Sequence, residues 1–261
     1  LRERIRPFLM RRLKKDVLTE LPDKLETVLT AQMTPEQQRV YQAAMIRLRE
    51  RVDHVMEEKG LGRGRTEVLA AITELRQICC HPVLVLPDYS GASGKLELLL
   101  EILPGAMAAG RRVLLFSQFT SMLKILRRQL EAAGYSCMYL DGETPASRRM
   151  EMTAEFNEGN TQIFLISLKA GGTGLNLTGA DMVIHYDPWW NPAAEDQATD
   201  RAHRIGQTRK VEVIRLVTHD SIEEQVVALG QRKKALFDQL ITPGEELVTG
   251  LTEQDIRALF A

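Results

Sequence analysis

The chain has 261 residues, of which 44% are hydrophobic and 26% charged, an ordinary composition for one large globular domain or one domain with a sizeable insertion. A formal net charge of −1 excludes a nucleic-acid binder that works through overall charge, so such binding would have to come from local clusters. No apolar run approaches the roughly 20 residues of a membrane span, and three cysteines without a CxxC pair fit a reducing compartment.

The first third of the chain is predicted to hold a connector and a helical insertion. Residues 1–33 are typical of a basic connector that ends in an extended segment, and residues 34–92 are predicted to be helical. The string Thr34–Gln37 is typical of a capping box with proline at the first helical position. Apolar residues at helical spacing on both sides of the glycine-rich stretch 60–64 predict an αα-hairpin that ends before Pro82. We interpret its apolar stripe as core.

From residue 93 to 219 strands and helices alternate, and residues 220–261 are predicted to be a bracing helix and a tail. This alternation predicts an α/β fold with a parallel sheet covered by helices on both faces. The predicted strands are Arg112–Phe116, Ser136–Leu140, Gln162–Ser167, Met182–Tyr186 and Val211–Val217. The predicted helices are Lys95–Met107, Thr120–Ala133, 145–157, 192–204 and Ser221–Leu240.

Three loops directly follow predicted strands, where ligands gather in parallel sheets. These are Ser117–Gln118 after the first core strand, Asp141–Thr144 after the second and Lys169–Asn176 after the third. The glycines of the last loop allow its backbone to approach an anion. Its spacing excludes a dinucleotide fingerprint, because Leu177 stands where that motif requires a small residue.

The segment Asp187–Gln207 carries the densest set of candidate functional residues. Pro192 suits the first turn of a helix over 192–204. Three residues of that helix recur at i, i+4 and i+7 and are expected within about 60° of one another on one face: Gln197, Arg201 and Arg204. Two forked, permanently charged guanidiniums on one face fit a triphosphate, although a solvated basic face is the alternative for such a pair.

The segment that ends at Gln207 reads Trp-Asn-Pro…Gln-Ala-x-Asp-Arg-Ala-His-Arg-Ile-Gly-Gln. This string resembles motif VI of the superfamily-two helicases, in particular that of the Swi/Snf-type DNA translocase ATPases. Leu114–Phe119 resembles motif IV of that family, Leu140–Thr144 its Leu-Asp-Gly-x-Thr segment and Ser167–Leu177 its motif V. The basic string Phe8–Leu18 resembles the connector between the two motor lobes, and the predicted hairpin resembles the insertion of the second lobe. The resemblance, to the carboxy-terminal RecA-like lobe, covers nearly the whole chain.

The resemblance implies a lobe that closes on a partner lobe around ATP with Mg²⁺ and moves along double-stranded DNA. It implies that Arg201, Arg204 and Gln197 are catalytic and that Gly174 and Asn176 face the nucleotide. The residues implied in DNA contact are Ser117, Gln118, Gly142, Thr144, Lys169, Gly171, Gly172, Thr173 and Trp190. Removing an arginine that stabilises the transferring phosphoryl group costs about 10³–10⁵ in rate, or roughly 4–7 kcal/mol of barrier.

The printed sequence contains no GxxxxGK[ST] phosphate cradle and no Asp-Glu-x-His box. Its single Gly-Lys pair, Gly94-Lys95, has Tyr89 where the first glycine belongs and Leu96 where a hydroxyl is required, so we interpret it as the start of a helix. By the resemblance, both missing motifs belong to the first motor lobe. We therefore expect a fragment that is inactive alone and works with the first lobe of the same protein.

Other interpretations remain. A non-catalytic nucleic-acid-binding or docking module with degenerate arginines would explain the same basic groups. An RNA-helicase lobe is disfavoured because Gln207 follows Arg204-Ile-Gly, where those enzymes spell His-Arg-x-Gly-Arg. A zinc site at Cys79-Cys80-His81 lacks a second ligand pair. The expected location is the cytoplasm, with the nucleoid, for a bacterial protein and the nucleus for a eukaryotic one.

Overall fold

The computed structural model describes residues 21–171, 174–240 and 252–260, so the basic string Phe8–Leu18 lies outside the described residues. Six strands form one sheet in the order β1-β6-β5-β2-β4-β3, and every pairing between them is parallel. The strands are β1 (Lys24–Ala31), β2 (Val113–Ser117), β3 (Cys137–Leu140), β4 (Ile163–Ser167), β5 (Met182–His185) and β6 (Val211–Thr218). The five predicted strands are confirmed.

The edge strand β1 comes from the predicted connector. Its residues are extended, as expected, but they also pair with β6 along their whole length, from Lys24 opposite Val211 to Ala31 opposite Thr218. An ion pair of 2.6 Å between Arg215 Nη1 and Glu26 Oε2 fixes this register. Burial would raise the pKa of Glu26, but Lys24 and Arg215 outweigh it and lower the pKa to about 2. The sheet therefore begins before the helical insertion.

Helices cover both faces of the sheet. They are α1 (Pro35–Cys80), α2 (Gly94–Ala108), α3 (Thr120–Ala132), α4 (Ala146–Glu158), α5 (Leu168–Gly171), α6 (Pro192–Thr199), α7 (Ile222–Leu240) and α8 (Glu253–Leu259). Val113 and Leu115 of the central strand β2 face α2 and α3, whereas Leu114 and Phe116 face α4 and α6. All four side chains are buried, as a strand covered on both faces requires. None of the described helices is both long and apolar enough to cross a membrane.

The helical insertion is the predicted hairpin. Gly60 interrupts α1 with φ +64° and ψ 170°, and Arg47 pairs with Glu74 across the two arms. The capping box forms only in part. Thr34 Oγ1 accepts the Gln37 N–H at 3.2 Å, but Gln37 Oε1 accepts the Gly94 N–H at 3.0 Å instead of the Thr34 N–H. The buried Gln37 amide nitrogen donates to the Ile78 carbonyl at 2.9 Å. That glutamine closes the base of the hairpin.

The hairpin packs against the two carboxy-terminal helices. Ile222 and Val226 of α7 and Ile256 and Leu259 of α8 share a buried cluster with the apolar stripe of α1, which confirms that this stripe is core. The Tyr41 hydroxyl accepts the Ile222 N–H at 2.7 Å. The insertion is therefore held to the α/β core through α7.

Candidate functional site

The candidate residues lie along one edge of the sheet. Because all six strands are parallel, the segments that follow β2, β3, β4 and β5 emerge together at their carboxyl ends. Ser117 ends β2 and Gln118 follows it. The other candidates among the described residues are Gly142 and Thr144 after β3, Lys169, Gly171, Gly174 and Asn176 after β4, and Trp190, Gln197, Arg201 and Arg204 after β5. This shared edge, formed by residues distant in sequence, is the candidate functional site.

At the end of β2, Ser117 and Gln118 bind a buried carboxylate. The Ser117 hydroxyl donates to Asp187, and the Gln118 N–H donates to the same carboxylate at 3.2 Å. Ser117 is 1% exposed, so its hydroxyl holds two strand ends together and is not presented to solvent. Burial raises the pKa of Asp187, and the nearby Arg76 guanidinium opposes that rise.

At the end of β3, internal hydrogen bonds shape the loop. The Asp141 N–H donates to Thr144 Oγ1 at 3.2 Å, and the Asp141 carboxylate accepts the Glu143 N–H at 3.0 Å. Arg149 of α4 donates to the Thr144 carbonyl at 2.7 Å and to the Gly142 carbonyl at 3.0 Å. Gly142 is exposed, and a Cβ placed there would meet nothing within 4 Å. The loop therefore presents an ordered, open backbone at its tip.

After β4 the glycine-rich loop begins with the short helix α5. Lys169 is exposed on this helix, and Gly171 is its last residue. Gly172 and Thr173 lie outside the described residues. Gly174 has φ +53°, a left-handed conformation that favours glycine, and both Gly174 and Asn176 are exposed. The Asn176 carbonyl accepts the Asn157 side-chain amide at 2.7 Å, which ties the end of the loop to α4.

The predicted helix over 192–204 is wrong in its length. Asn191 caps α6 and Pro192 opens it, as expected, but the helix ends at Thr199 and turns follow. In a longer helix the Arg201 carbonyl would accept the N–H of residue 205. Here it accepts the Leu177 N–H at 2.9 Å, from the glycine-rich loop. The buried Gln207 amide also donates to the Ala202 carbonyl at 3.1 Å, so one contact from a distant loop and one side-chain contact take the place of helical hydrogen bonds.

The three predicted catalytic residues therefore do not share a helical face. Gln197 is exposed on α6, Arg201 is 8% exposed in the following turn, and Arg204 is exposed at its end. The two arginines still lie close enough to interact. Burial lowers the pKa of Arg201, and the positive charge of Arg204 lowers it further. Such a concentration of positive charge suits a polyanion.

The two tryptophans have different roles. The Trp189 N–H donates to Glu195 at 2.6 Å, and its ring packs against the core under α4 and α6. Trp190 is half-buried against the helical hairpin, with the Arg76 guanidinium 5.4 Å from its ring centroid. Trp190 thus lies where the hairpin meets the candidate site.

Arg76, whose side chain is 1% exposed, is a residue of the site that the sequence did not reveal. It was hidden in the apolar stripe of α1, where Ile72 at i−4 and Cys79 at i+3 are its neighbours on the same face. A permanently charged residue on a core-facing stripe was the available signal, since buried arginines need partners. The three cysteines are free, and burial raises the pKa of the Cys79 and Cys80 thiols, which favours their neutral form.

Two family models match the chain. The model described as Helicase conserved C-terminal domain matches residues 94–206, and the model described as SNF2-related domain matches residues 1–84. The first covers strands β2 to β5 with the candidate site, and the second covers β1 and the hairpin.

One curated relative is the chromatin structure-remodeling complex subunit snf21 of Schizosaccharomyces pombe, with 39% identity over 92% of this chain and 21% of that protein. The chain spans between 15% and 28% of the length of six curated relatives, that one included.

Two solved structures from Sulfolobus solfataricus are similar to this chain over most of its length. The SWI2/SNF2 ATPase C-terminal domain has 30% identity and a TM-score of 0.72, and the match covers 91% of this chain and 98% of that one. The SWI2/SNF2 ATPase core in complex with dsDNA has 34% identity and a TM-score of 0.75, and the match covers 99% of this chain and 55% of that one.

Proposed function

This chain belongs to the Swi/Snf-type family of superfamily-two ATPases, and on that premise we propose that it is the second motor lobe of a double-stranded-DNA-dependent ATPase and translocase. Its parallel sheet with flanking helices is the RecA-like fold of the SWI2/SNF2 cores. The relatives named above are a chromatin-remodelling subunit and an ATPase core solved with dsDNA, which supports a DNA-dependent motor.

The nucleotide role belongs to the segment from Arg201 to Arg204 together with the glycine-rich loop. The observation that carries this assignment is the 2.9 Å hydrogen bond from the Leu177 N–H to the Arg201 carbonyl, which joins the two segments into one unit. In this proposal the first lobe holds most of the ATP and its Mg²⁺. Arg201 and Arg204 then supply positive charge to the phosphates when the lobes close, with Gln197, Gly174 and Asn176 as further contacts.

The DNA role belongs to the other loops of the same edge. Exposed backbone at Gly142, the ammonium of Lys169 and the side chain of Trp190 supply contacts for one strand, together with Gln118, Thr144 and residues 171–173. Groups of this kind bind phosphates and sugars and carry little base specificity. Binding should therefore weaken steeply with salt and depend little on DNA sequence.

The test uses the intact protein that contains both lobes. We expect Arg201→Ala to reduce DNA-stimulated ATP hydrolysis by about 10³-fold or more. DNA binding in low salt should stay within about twofold, since the substitution spares the phosphate contacts. The 261-residue chain alone should hydrolyse ATP at background. Unchanged turnover in Arg201→Ala would favour a non-catalytic docking module, and DNA-stimulated turnover by the isolated chain would refute the division of labour between lobes.

A further inference from the structure

Among the described residues of the helical hairpin, Arg76 is the one buried arginine whose guanidinium reaches the candidate functional site. It leaves the second arm of α1 and reaches the segments that follow β2 and β5. One terminal nitrogen donates to the Pro188 carbonyl and lies 3.9 Å from Asp187 Oδ2. Both side chains of this ion pair are almost fully buried.

The same guanidinium touches two of the proposed DNA contacts. Arg76 Nη1 donates to Gln118 Oε1 at 3.1 Å, and the Trp190 ring centroid lies 5.4 Å from Arg76 Cζ. Gln118 follows β2 and Trp190 follows β5, and these strands are neighbours in the sheet. Trp190 also packs against the buried cluster that joins the hairpin to Ile222 and Val226 of α7.

This arrangement is costly for a purely structural contact. Arg76 Nε and Gln118 Nε2 are buried and find no hydrogen-bond acceptor among the described residues. Each buried donor without a partner costs about 1–3 kcal/mol, and an apolar residue could fill the same space without that penalty. The arrangement thus costs folding stability but fixes the positions of its partners, because one planar guanidinium sets the directions of two hydrogen bonds and stacks on a ring.

The geometry points to Arg76 as a positioning residue that couples the helical hairpin to DNA binding by holding Gln118 and Trp190 in one fixed arrangement. This inference rests on the proposed function, and it assigns a task to the insertion, which contributes none of the other proposed contacts. Lysine cannot replace the arginine, since an ammonium lacks the planar fork that stacks on a ring and donates in fixed directions.

The experiment measures DNA-stimulated ATP hydrolysis of the intact two-lobe protein over a range of DNA concentrations. Arg76→Lys should raise the DNA concentration for half-maximal stimulation about tenfold, while turnover at saturating DNA stays within about twofold. The matched control is Arg112→Lys. Arg112 also stacks on a ring, 4.2 Å from the Phe156 centroid, and donates to backbone carbonyls, but it lies at the amino end of β2. That variant should leave both kinetic values within about twofold.

A double-mutant cycle separates positioning from general destabilisation. If Arg76 acts through Gln118 and Trp190, then Arg76→Lys should add little to the DNA defect of a Gln118→Ala, Trp190→Phe double variant. Fully additive effects would overturn the inference, as would an Arg76→Lys variant that loses thermal stability with unchanged half-saturation by DNA. If Arg76→Lys does not fold, Arg76→Met with Asp187→Asn removes both charges of the pair and should show the same rise in half-saturation.

The failure of the inference can be told from that of the proposed function. A DNA defect in Gln118→Ala and Trp190→Phe with none in Arg76→Lys would overturn the inference and leave the DNA contacts in place. No DNA defect in any of these variants would overturn the proposed contacts and the inference together.

Discussion

Lys95 and Glu223 form an ion pair of 2.6 Å whose two side chains are fully buried. Lys95 lies in the first turn of α2 and Glu223 in the first turn of α7, 128 residues later. The same ammonium donates to the Tyr186 carbonyl at 3.0 Å, and Glu223 accepts the Thr218 N–H at 2.9 Å. The lysine of the single Gly-Lys pair in the sequence is therefore committed to the core. This geometry agrees with its interpretation as a helix start and not as a phosphate cradle.

The first prediction concerns this ion pair. Lys95→Met should destabilise the chain by roughly 3–5 kcal/mol, because it leaves the Glu223 carboxylate buried without its counter-charge. Lys95→Met combined with Glu223→Gln should recover most of that loss, since the glutamine is neutral. Urea unfolding of the 261-residue chain followed by circular dichroism measures both variants. A single variant as stable as the parent would show that Glu223 does not depend on Lys95.

The second prediction compares two glycines of α2. A Cβ on Gly94 would lie 1.7 Å from the Gln32 carbonyl oxygen, whereas a Cβ on Gly105 would meet nothing within 4 Å. Gly94→Ala should therefore destabilise the chain by about 1–3 kcal/mol or more, because backbone must move. Gly105→Ala should stabilise it by roughly 0.5–1 kcal/mol through its better helix propensity. Thermal unfolding midpoints compare the pair directly, and equal shifts would contradict the close approach of Gln32, the residue after β1, to the start of α2.

The third prediction concerns pH. Burial lowers the pKa of His185 to about 4, with its ring stacked on Phe116 at 5.6 Å and its Nε2 3.0 Å from Thr199 Oγ1. Between pH 6.5 and about 4 the unfolded chain therefore binds a proton that the folded chain does not, so stability falls as the pH falls. From pH 7 to pH 5 this histidine should account for a loss of roughly 2 kcal/mol.

The measurement for His185 is urea unfolding of the parent and of His185→Gln at both pH values. The variant is expected to be less stable at pH 7 but to lose about 2 kcal/mol less than the parent on acidification. Identical pH dependence in the two proteins would show that His185 titrates normally in the folded state.

Much of this architecture could be predicted from the sequence. The predicted strands and the helices α2, α3, α4 and α7 agree with the structure to within one residue at each end. Apolar runs and helical periodicity decide these elements locally, and Gly134 ends α3 with φ +87°, a conformation that favours glycine. Parallel pairing then brings the strand ends together, so the position of the candidate edge followed from the order of elements alone.

The features that the sequence did not predict correctly depend on contacts that the local sequence pattern does not record. The end of α6 at Thr199 is fixed by the Leu177 N–H and the Gln207 amide, and no periodicity within 192–204 records those partners. The strands β1 and β6 pair although the hairpin and most of the α/β core lie between them in the sequence. Arg76 was hidden for the same reason, since its partners lie 42 and 112 residues away.

The last prediction uses the difference in burial between the two arginines. Arg201 is 8% exposed, so truncation of its buried side chain affects stability as well as chemistry. Arg204 is exposed, so Arg204→Ala should change the free energy of unfolding by no more than about 0.5 kcal/mol. Its effect on hydrolysis therefore reports on chemistry alone. In the intact two-lobe protein we expect a loss of about 10³-fold or more in turnover at saturating ATP and DNA.

Arg204→Lys separates charge from shape, because it keeps the positive charge and loses the fork. If bidentate contact with phosphate oxygens is required, the lysine variant should recover less than about a tenth of the lost turnover. The matched control is Arg128→Ala, an exposed arginine near the carboxy-terminal end of α3. That end faces the amino edge of the sheet, since α3 begins where β2 ends, so turnover should be unchanged. Full activity in Arg204→Ala would leave Arg201 as the sole arginine in the proposed nucleotide role, and equal losses in Arg204→Ala and Arg128→Ala would remove the assignment altogether.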